Sequence, residues 1–166
     1  MPEAICDTSV IQYLHQLKVL DLLPGIYGTV VVPRAVAEEL AAGRLAGVDV
    51  PDALQLPWAQ IGDVTMHAAL VSEEALGPGE SEVLSLALQR KESVALIDDA
   101  VARAFARHHQ IRFTGTLGIL VRAKSLGLIE RVSPLLEALR DRGFRVTPAV
   151  TEVILREAGE TQETSS

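Results

Sequence analysis

The stretch that most constrains this chain is Ala4-Ile5-Cys6-Asp7-Thr8-Ser9. Three apolar residues make a short buried strand. Asp7 ends it, and Thr8 and Ser9 are residue types that open helices well. The next segment, Val10–Leu23, carries Val10, Ile11, Leu14, Leu17, Leu20 and Leu23 at close to helical spacing, and Pro24-Gly25 stops it. The pattern then returns. Thr29-Val30-Val31-Val32 is a β-branched run ended by Pro33, whose fixed φ suits the first turn of a helix over Arg34–Ala42 closed by Gly43. That helix puts Ala35, Val36 and Leu40 on its apolar side. Gly77-Pro78-Gly79 breaks the chain before a helix over Glu80–Arg90. Ser93–Ile97 is a strand that runs into Asp98-Asp99. A helix over Ala100–His109 follows, with Val101, Ala104 and Phe105 as its apolar side.

Ile111–Thr114 reads as another short strand. Helices then follow over Leu117–Leu126, Pro134–Arg142 and Thr147–Ala158, the last with Thr147 as cap and Pro148 at its first position. Residues 43–65 are broken by Gly47, Pro51, Pro57 and Gly62 and admit one short strand; Met66–Leu76 is expected to be a short helix. Strands alternating with helices predict an α/β fold, a parallel sheet with helices on both faces. A chain of 166 residues, 48% of them apolar, fits one domain over 1–159 with a polar, disordered tail over 160–166. The single cysteine, Cys6, excludes an internal disulfide and belongs to the core. No apolar run reaches the length of a membrane span and no basic-then-apolar leader opens the sequence, so a cytoplasmic protein is expected.

Net charge is −7, a poor total for binding nucleic acid, but it is unevenly spread. Residues 1–99 hold 5 Lys/Arg against 15 Asp/Glu; residues 100–166 hold 10 against 7. An acidic site beside a basic surface has this asymmetry, and so does an ordinary solvated surface.

The acids sit at strand ends, where open α/β sheets bind ligands. Asp7 either caps the helix after it or faces a site. Of the pair Glu38 and Glu39, Glu39 lies beside apolar Leu40 and is the better candidate to point inward. Glu80 and Glu82 lie in a first helical turn, where the dipole alone favours them. Asp98-Asp99 is the strongest pair: one cap suffices for the helix from Ala100, and adjacent carboxylates repel unless a cation joins them. Clustered carboxylates suit Mg²⁺ or Mn²⁺, and two such ions can cut a phosphodiester by activating a water and steadying the leaving oxygen. Zinc is disfavoured, since the four histidines lack ligand spacing. Thr114 and Thr116 offer hydroxyls at another strand end. Arg103, Arg107, His108, Arg112, Arg122 and Lys124 are candidate phosphate contacts.

Taken together, Ile5-Cys6-Asp7-Thr8-Ser9, Val32-Pro33-Arg34-Ala35-Val36-Ala37-Glu38-Glu39-Leu40, Gly79-Glu80-Ser81-Glu82, Leu96-Ile97-Asp98-Asp99 and Thr114-Gly115-Thr116-Leu117-Gly118-Ile119-Leu120 resemble the PIN domain, the fold of VapC-type toxin ribonucleases. The closest likeness is to the small PIN-like branch with a Gly-Glu-x-Glu helix start and an Asp-Asp pair, and it covers roughly residues 3–159. The resemblance implies a three-layer, Rossmann-like parallel sheet and Mg²⁺- or Mn²⁺-dependent endoribonuclease activity. It carries the family's acids onto Asp7, Glu39, Glu80 and Asp98, with Glu82 and Asp99 as alternate metal ligands. It leaves Thr114, Thr116, Arg103, Arg107 and Arg112 for RNA. Two departures stand out: the third acid is Glu where VapC toxins commonly have Asp, and Ile97 precedes an acid pair where a Thr or Ser usually precedes one acid. An antitoxin partner and a homodimer are further implications.

Two other readings compete. A PIN-like module without catalysis would bind RNA or protein through the same fold. A receiver-like phosphoacceptor would need two acids after the first strand and a late Lys, a poor match to a lone Asp7 in a Lys-poor chain. A nucleotide-binding Rossmann enzyme ranks lower still, because no glycine-rich loop follows the first strand.

Overall fold

The computed structural model describes residues 2–70 and 73–161. The chain divides into two compact units, Met1–Thr116 and Leu117–Ser166.

The first unit is built on five parallel strands: β1 (Glu3–Cys6), β2 (Thr29–Pro33), β3 (Ala59–Gly62), β4 (Val94–Leu96) and β5 (Phe113–Thr114), in the spatial order β3-β2-β1-β4-β5. Between them run α1 (Thr8–Gln16), α2 (Leu22–Ile26), α3 (Arg34–Leu45), α4 (Pro78–Gln89) and α5 (Ala100–His108). The helices flank the sheet on both faces in a three-layer α/β arrangement, which right-handed crossovers require once the strand order reverses. β1 is central because it is apolar throughout its inner part: Ala4, Ile5 and Cys6 are fully buried. Its register sets Ile5 opposite Val31 on one side and Ala95 on the other. The chain steps outward from β1 to β2 and β3, then returns across the sheet to β4 and β5. The carboxyl ends of β1 and β4 therefore flank the switch point, where such sheets hold their ligands.

Ile5, Ile11, Leu14, Leu23, Leu40, Leu84, Leu96 and Ile97 are the large, fully buried side chains of this unit. Each contributes roughly 1.5–3 kcal/mol by leaving water. The edge strands are short and carry polar residues, as edges must to avoid pairing with other chains.

The second unit holds α6, which opens at Thr116 and runs to Ser125, α7 (Ser133–Asp141) and α8 (Pro148–Glu157). Its buried residues include Ile119, Leu120, Val132, Leu136, Leu139 and Ile154. Thr147 caps α8 through its side chain, which accepts from the Val150 amide at 3.2 Å, and Pro148 takes the first position, as expected.

Several expectations need correction. The helix over Val10–Leu23 is two helices. It breaks after Gln16, where Lys18 adopts φ 61°, and Pro24 and Gly25 lie inside α2. Pro24 is tolerated there because the first turn needs no amide from it. α3 runs through Gly43 to Leu45, and the left-handed residue past its end is Gly47 at φ 83°. Met66–Leu76 is not a helix; a 3₁₀ turn at Ala68–Leu70 is its only regular part among the described residues, and residues 71–72 lie outside them. α5 buries Ala102 and Ala106 rather than Val101 and Ala104, and Val101 is 45% exposed. Glu160, expected in the tail, is a structural residue of the second unit. Its side chain is 9% exposed and accepts from Lys124 Nζ at 3.0 Å and from the Val132 and Ser133 amides at 2.7 and 3.1 Å. Residues 162–166 lie outside the described part. Among the described residues no helix is long and apolar enough to cross a membrane.

Candidate active site

Asp7 follows β1 directly, and its amide extends the ladder by donating to Leu96 O at 3.1 Å. It occupies the cap position of α1 but its side chain makes no capping bond, so the capping explanation fails. Instead its carboxyl is buried, 3% exposed, at the sheet's carboxyl end. Burial pushes its pKa up to about 7; the Thr8 amide opposes this, and the negative charges of Glu80, Glu39 and Asp98 add to it. No cation of the protein is among these influences. The same field raises the buried Cys6 thiol well above its ordinary value, through burial and then Asp7 and Asp98.

The neighbouring acids are held by specific donors. Glu39 accepts from Thr8 Oγ1 at 2.7 Å and from the Gly79 amide at 2.8 Å, while Glu38 faces water. Asp98 accepts from the Thr116 amide and hydroxyl, both at 2.7 Å, and from Ser9 Oγ at 3.2 Å. Glu80 folds back onto the Gly77 amide at 2.8 Å, closing the start of α4. Its pKa is raised, first by burial and then by Asp99 and Glu39, against the Gly77 hydrogen bond. The four acids Asp7, Glu39, Glu80 and Asp98 thus form one electrostatic cluster from four separate segments.

The alternates are placed elsewhere. Glu82 accepts from the Ala35 amide at 2.8 Å, so it serves as the missing cap of α3, whose cap position is Pro33 with no side-chain acceptor. Asp99 caps α5 by accepting from the Ala102 amide at 2.9 Å; it is exposed and bears on the site only through its charge on Glu80. Thr116 is fully buried with its hydroxyl committed to Asp98, so it orients an acid and is not a contact for RNA. Arg112 precedes β5, beside Glu92 at 3.7 Å, at the opposite end of the sheet from the acids. Arg103 and Arg107 both lie over the Phe113 ring, at 5.2 and 5.3 Å. Thr114 is a half-buried residue of β5 paired with Leu96.

Four contributors were not anticipated. Thr8 and Ser9, read from sequence as caps, are hydroxyl donors to Glu39 and Asp98. Gly79 and Gly115 are needed for space. A Cβ on Gly79 would come within 2.6 Å of Glu39 Oε1, and one on Gly115 within 2.7 Å of Asp98 Oδ1 and 3.2 Å of Ile97 O. Two hydroxyl residues after Asp7, where one cap would do, were the available signal.

The cluster's chemistry fits a hard divalent cation: carboxylate oxygens, partial burial and uncompensated negative charge. Yet among the described residues no three His, Cys, Asp or Glu side chains converge closely enough to form a ligand group as they stand. Glu39, Glu80 and Asp98 each accept from a backbone amide, with which a cation would have to compete.

With this geometry established, the sequence matches the family DUF3368, described as a PIN domain, over residues 3–160. The chain belongs to the PIN-domain family. Among curated proteins no sequence matches it significantly. PIN domains are generally nucleases and typically use divalent metals. In this PIN domain the family assignment spans both compact units and takes in Glu160.

Proposed function

We propose that this PIN domain is a metal-dependent endoribonuclease. The observation that carries the reading is Asp7: a buried carboxyl at the end of the central strand, in the field of Glu39, Glu80 and Asp98 and with no ion-pair partner among the described residues. Asp7, Glu39, Glu80 and Asp98 would hold Mg²⁺ or Mn²⁺, which supplies Lewis acidity and an activated water to phosphodiester hydrolysis. The chain's own part is positional. Thr8 and Gly79 orient Glu39; Thr116 and Ser9 orient Asp98; the Gly77 amide anchors Glu80. No side chain forms a covalent intermediate in this scheme. By the family resemblance alone, we extend the proposal to a toxin silenced by an antitoxin segment lying over the acids. Copurification of a small protein encoded beside this one would support that extension.

A second reading, a PIN-like module that binds RNA or protein without cutting, is favoured by the acids' commitment to backbone amides. One experiment separates the two. Purified protein is incubated with RNA and Mg²⁺ or Mn²⁺, with and without chelator, beside Asp7→Asn. Chelator-sensitive cleavage lost in the variant supports the nuclease. Intact RNA together with no metal binding by calorimetry supports the module.

A further inference from the structure

Arg103 Nε is the one buried side-chain nitrogen or oxygen without a hydrogen-bond partner among the described residues. Such groups are rare and call for an explanation. The arginine stands in the first turn of α5, just after the Asp98-Asp99 pair, with its guanidinium over the Phe113 ring. Its Nη1 lies 3.8 Å from where a Cβ on Gly115 would sit, and that same point is 2.7 Å from Asp98 Oδ1. The guanidinium therefore reaches the rim of the acid cluster. No ion pair to any acid follows, because Asp98 is already held by Thr116 and Ser9, and Asp99 by the Ala102 amide.

A cation beside carboxylates that does not pair with them is available to an external anion. Guanidinium presents a fixed fork of donors that matches phosphate oxygens, and an aromatic face beneath it fixes its plane. Gly115 keeps side-chain atoms out of the space between Arg103 and Asp98. We propose that Arg103 is the substrate-phosphate contact of this site: its Nη edge holds a non-bridging oxygen of the RNA phosphate next to the acids. This rests on the ribonuclease reading and sharpens it. Arg107 shares the Phe113 ring but is exposed and a turn farther along α5, and Arg112 belongs to the other end of the sheet. No bond or proton changes hands at Arg103; it offsets the repulsion between an anionic substrate and an acidic pocket.

The test compares wild type, Arg103→Gln, Arg103→Lys and Arg112→Gln in two assays. The first measures binding of a fluorescent single-stranded RNA in chelator across a salt series. The second measures kcat and KM for RNA cleavage in Mn²⁺. Arg103→Gln is expected to weaken binding roughly 10-fold and to lower the salt slope by about one, the signature of one lost phosphate contact. Its kcat is expected to fall roughly 10- to 100-fold, the scale of a lost charged hydrogen bond. Arg103→Lys should recover the salt slope and only part of kcat, and Arg112→Gln should match wild type. Thermal melts guard against misfolding: a lower melting temperature in Arg103→Gln with unchanged salt slope and kcat would mean that Arg103 merely packs on Phe113. Wild type that binds but does not cut, with binding lost in Arg103→Gln, overturns the enzyme and leaves the phosphate contact standing. Wild type that cuts as well as Arg103→Gln overturns the contact alone. Wild type that neither binds nor cuts overturns both.

Discussion

Asp7 places the proposed function and stability in opposition at one atom group. Its carboxyl titrates near 7 in the fold, against an ordinary value of 3.8, because burial and three neighbouring acids disfavour the charge. Between those values the folded chain binds the proton more tightly than the unfolded chain does. The stability this confers is present at acid pH and is lost as pH rises through about 7. Asp7→Asn should therefore stabilise the metal-free protein at pH 8, by on the order of 4 kcal/mol, and have little effect at pH 4. Melts at the two pH values check this; an Asp7→Asn protein less stable at pH 8 would show that the charge is compensated after all. The glycines make a second residue-scale prediction. Gly79→Ala and Gly115→Ala must push Glu39 and Asp98 off their amides, since the added carbon would stand 2.6–2.7 Å from carboxylate oxygens. Both are expected to cost at least roughly 10-fold in RNA cleavage, because catalysis tolerates little misplacement. Folding, followed by circular dichroism, should suffer less in Gly79→Ala, where only a side chain yields, than in Gly115→Ala, which also crowds Ile97 O.

Between elements, the Gly-Glu-x-Glu start of α4 divides its labour. Glu80 closes its own helix and faces the acid cluster, while Glu82 closes α3 through the Ala35 amide. Glu82→Ala should lower stability by about 1 kcal/mol, the usual worth of a helix cap, and leave metal affinity near wild type. Glu80→Ala should reduce metal affinity; calorimetric titration with Mn²⁺ on both variants distinguishes the two roles. The sequence could announce the two acids but not this division. Glu82 meets Ala35 across 47 residues, and no local pattern encodes a cap supplied by another helix. What was legible followed from local physics: a β-branched run for β2, short apolar runs for β1 and β4, Pro33 and Thr147 at helix starts, and acids at strand ends. What was not legible depended on tertiary packing. Gly43 stays helical with Val50 Cγ2 beside it, at 3.4 Å from where a Cβ would be. Two alanines, rather than the larger Val101, form the buried face of α5, where close approach outweighs side-chain size.

Across the whole chain, two carboxyls with large and opposite shifts, one in each unit, shape how stability follows pH. Glu160 in the second unit resists burial's tendency to raise its pKa, because the Val132 and Ser133 amides and Lys124 hold its charged form, and its pKa falls to about 2 from 4.5. Its contribution is present above about 4.5 and is lost as pH drops toward 2. Asp7 acts in the reverse sense, losing its contribution as pH rises through about 7. Together these groups favour greatest metal-free stability at about pH 4, above which Asp7 loses its contribution and below which Glu160 does. A divalent cation held by the charged carboxylates, as proposed, should flatten the upper limb alone, with the lower limb untouched. Thermal melts from pH 3 to pH 9, with and without Mn²⁺, on wild type, Asp7→Asn and Glu160→Gln decide the matter. Asp7→Asn should remove the upper limb together with most of the Mn²⁺ stabilisation. Glu160→Gln should lower stability at neutral pH by about 1–2 kcal/mol, through loss of charged hydrogen bonds, and keep the full Mn²⁺ response. Mn²⁺ stabilisation that survives in Asp7→Asn would mean that the cation binds elsewhere, and the acid cluster would lose its claim to be the metal site.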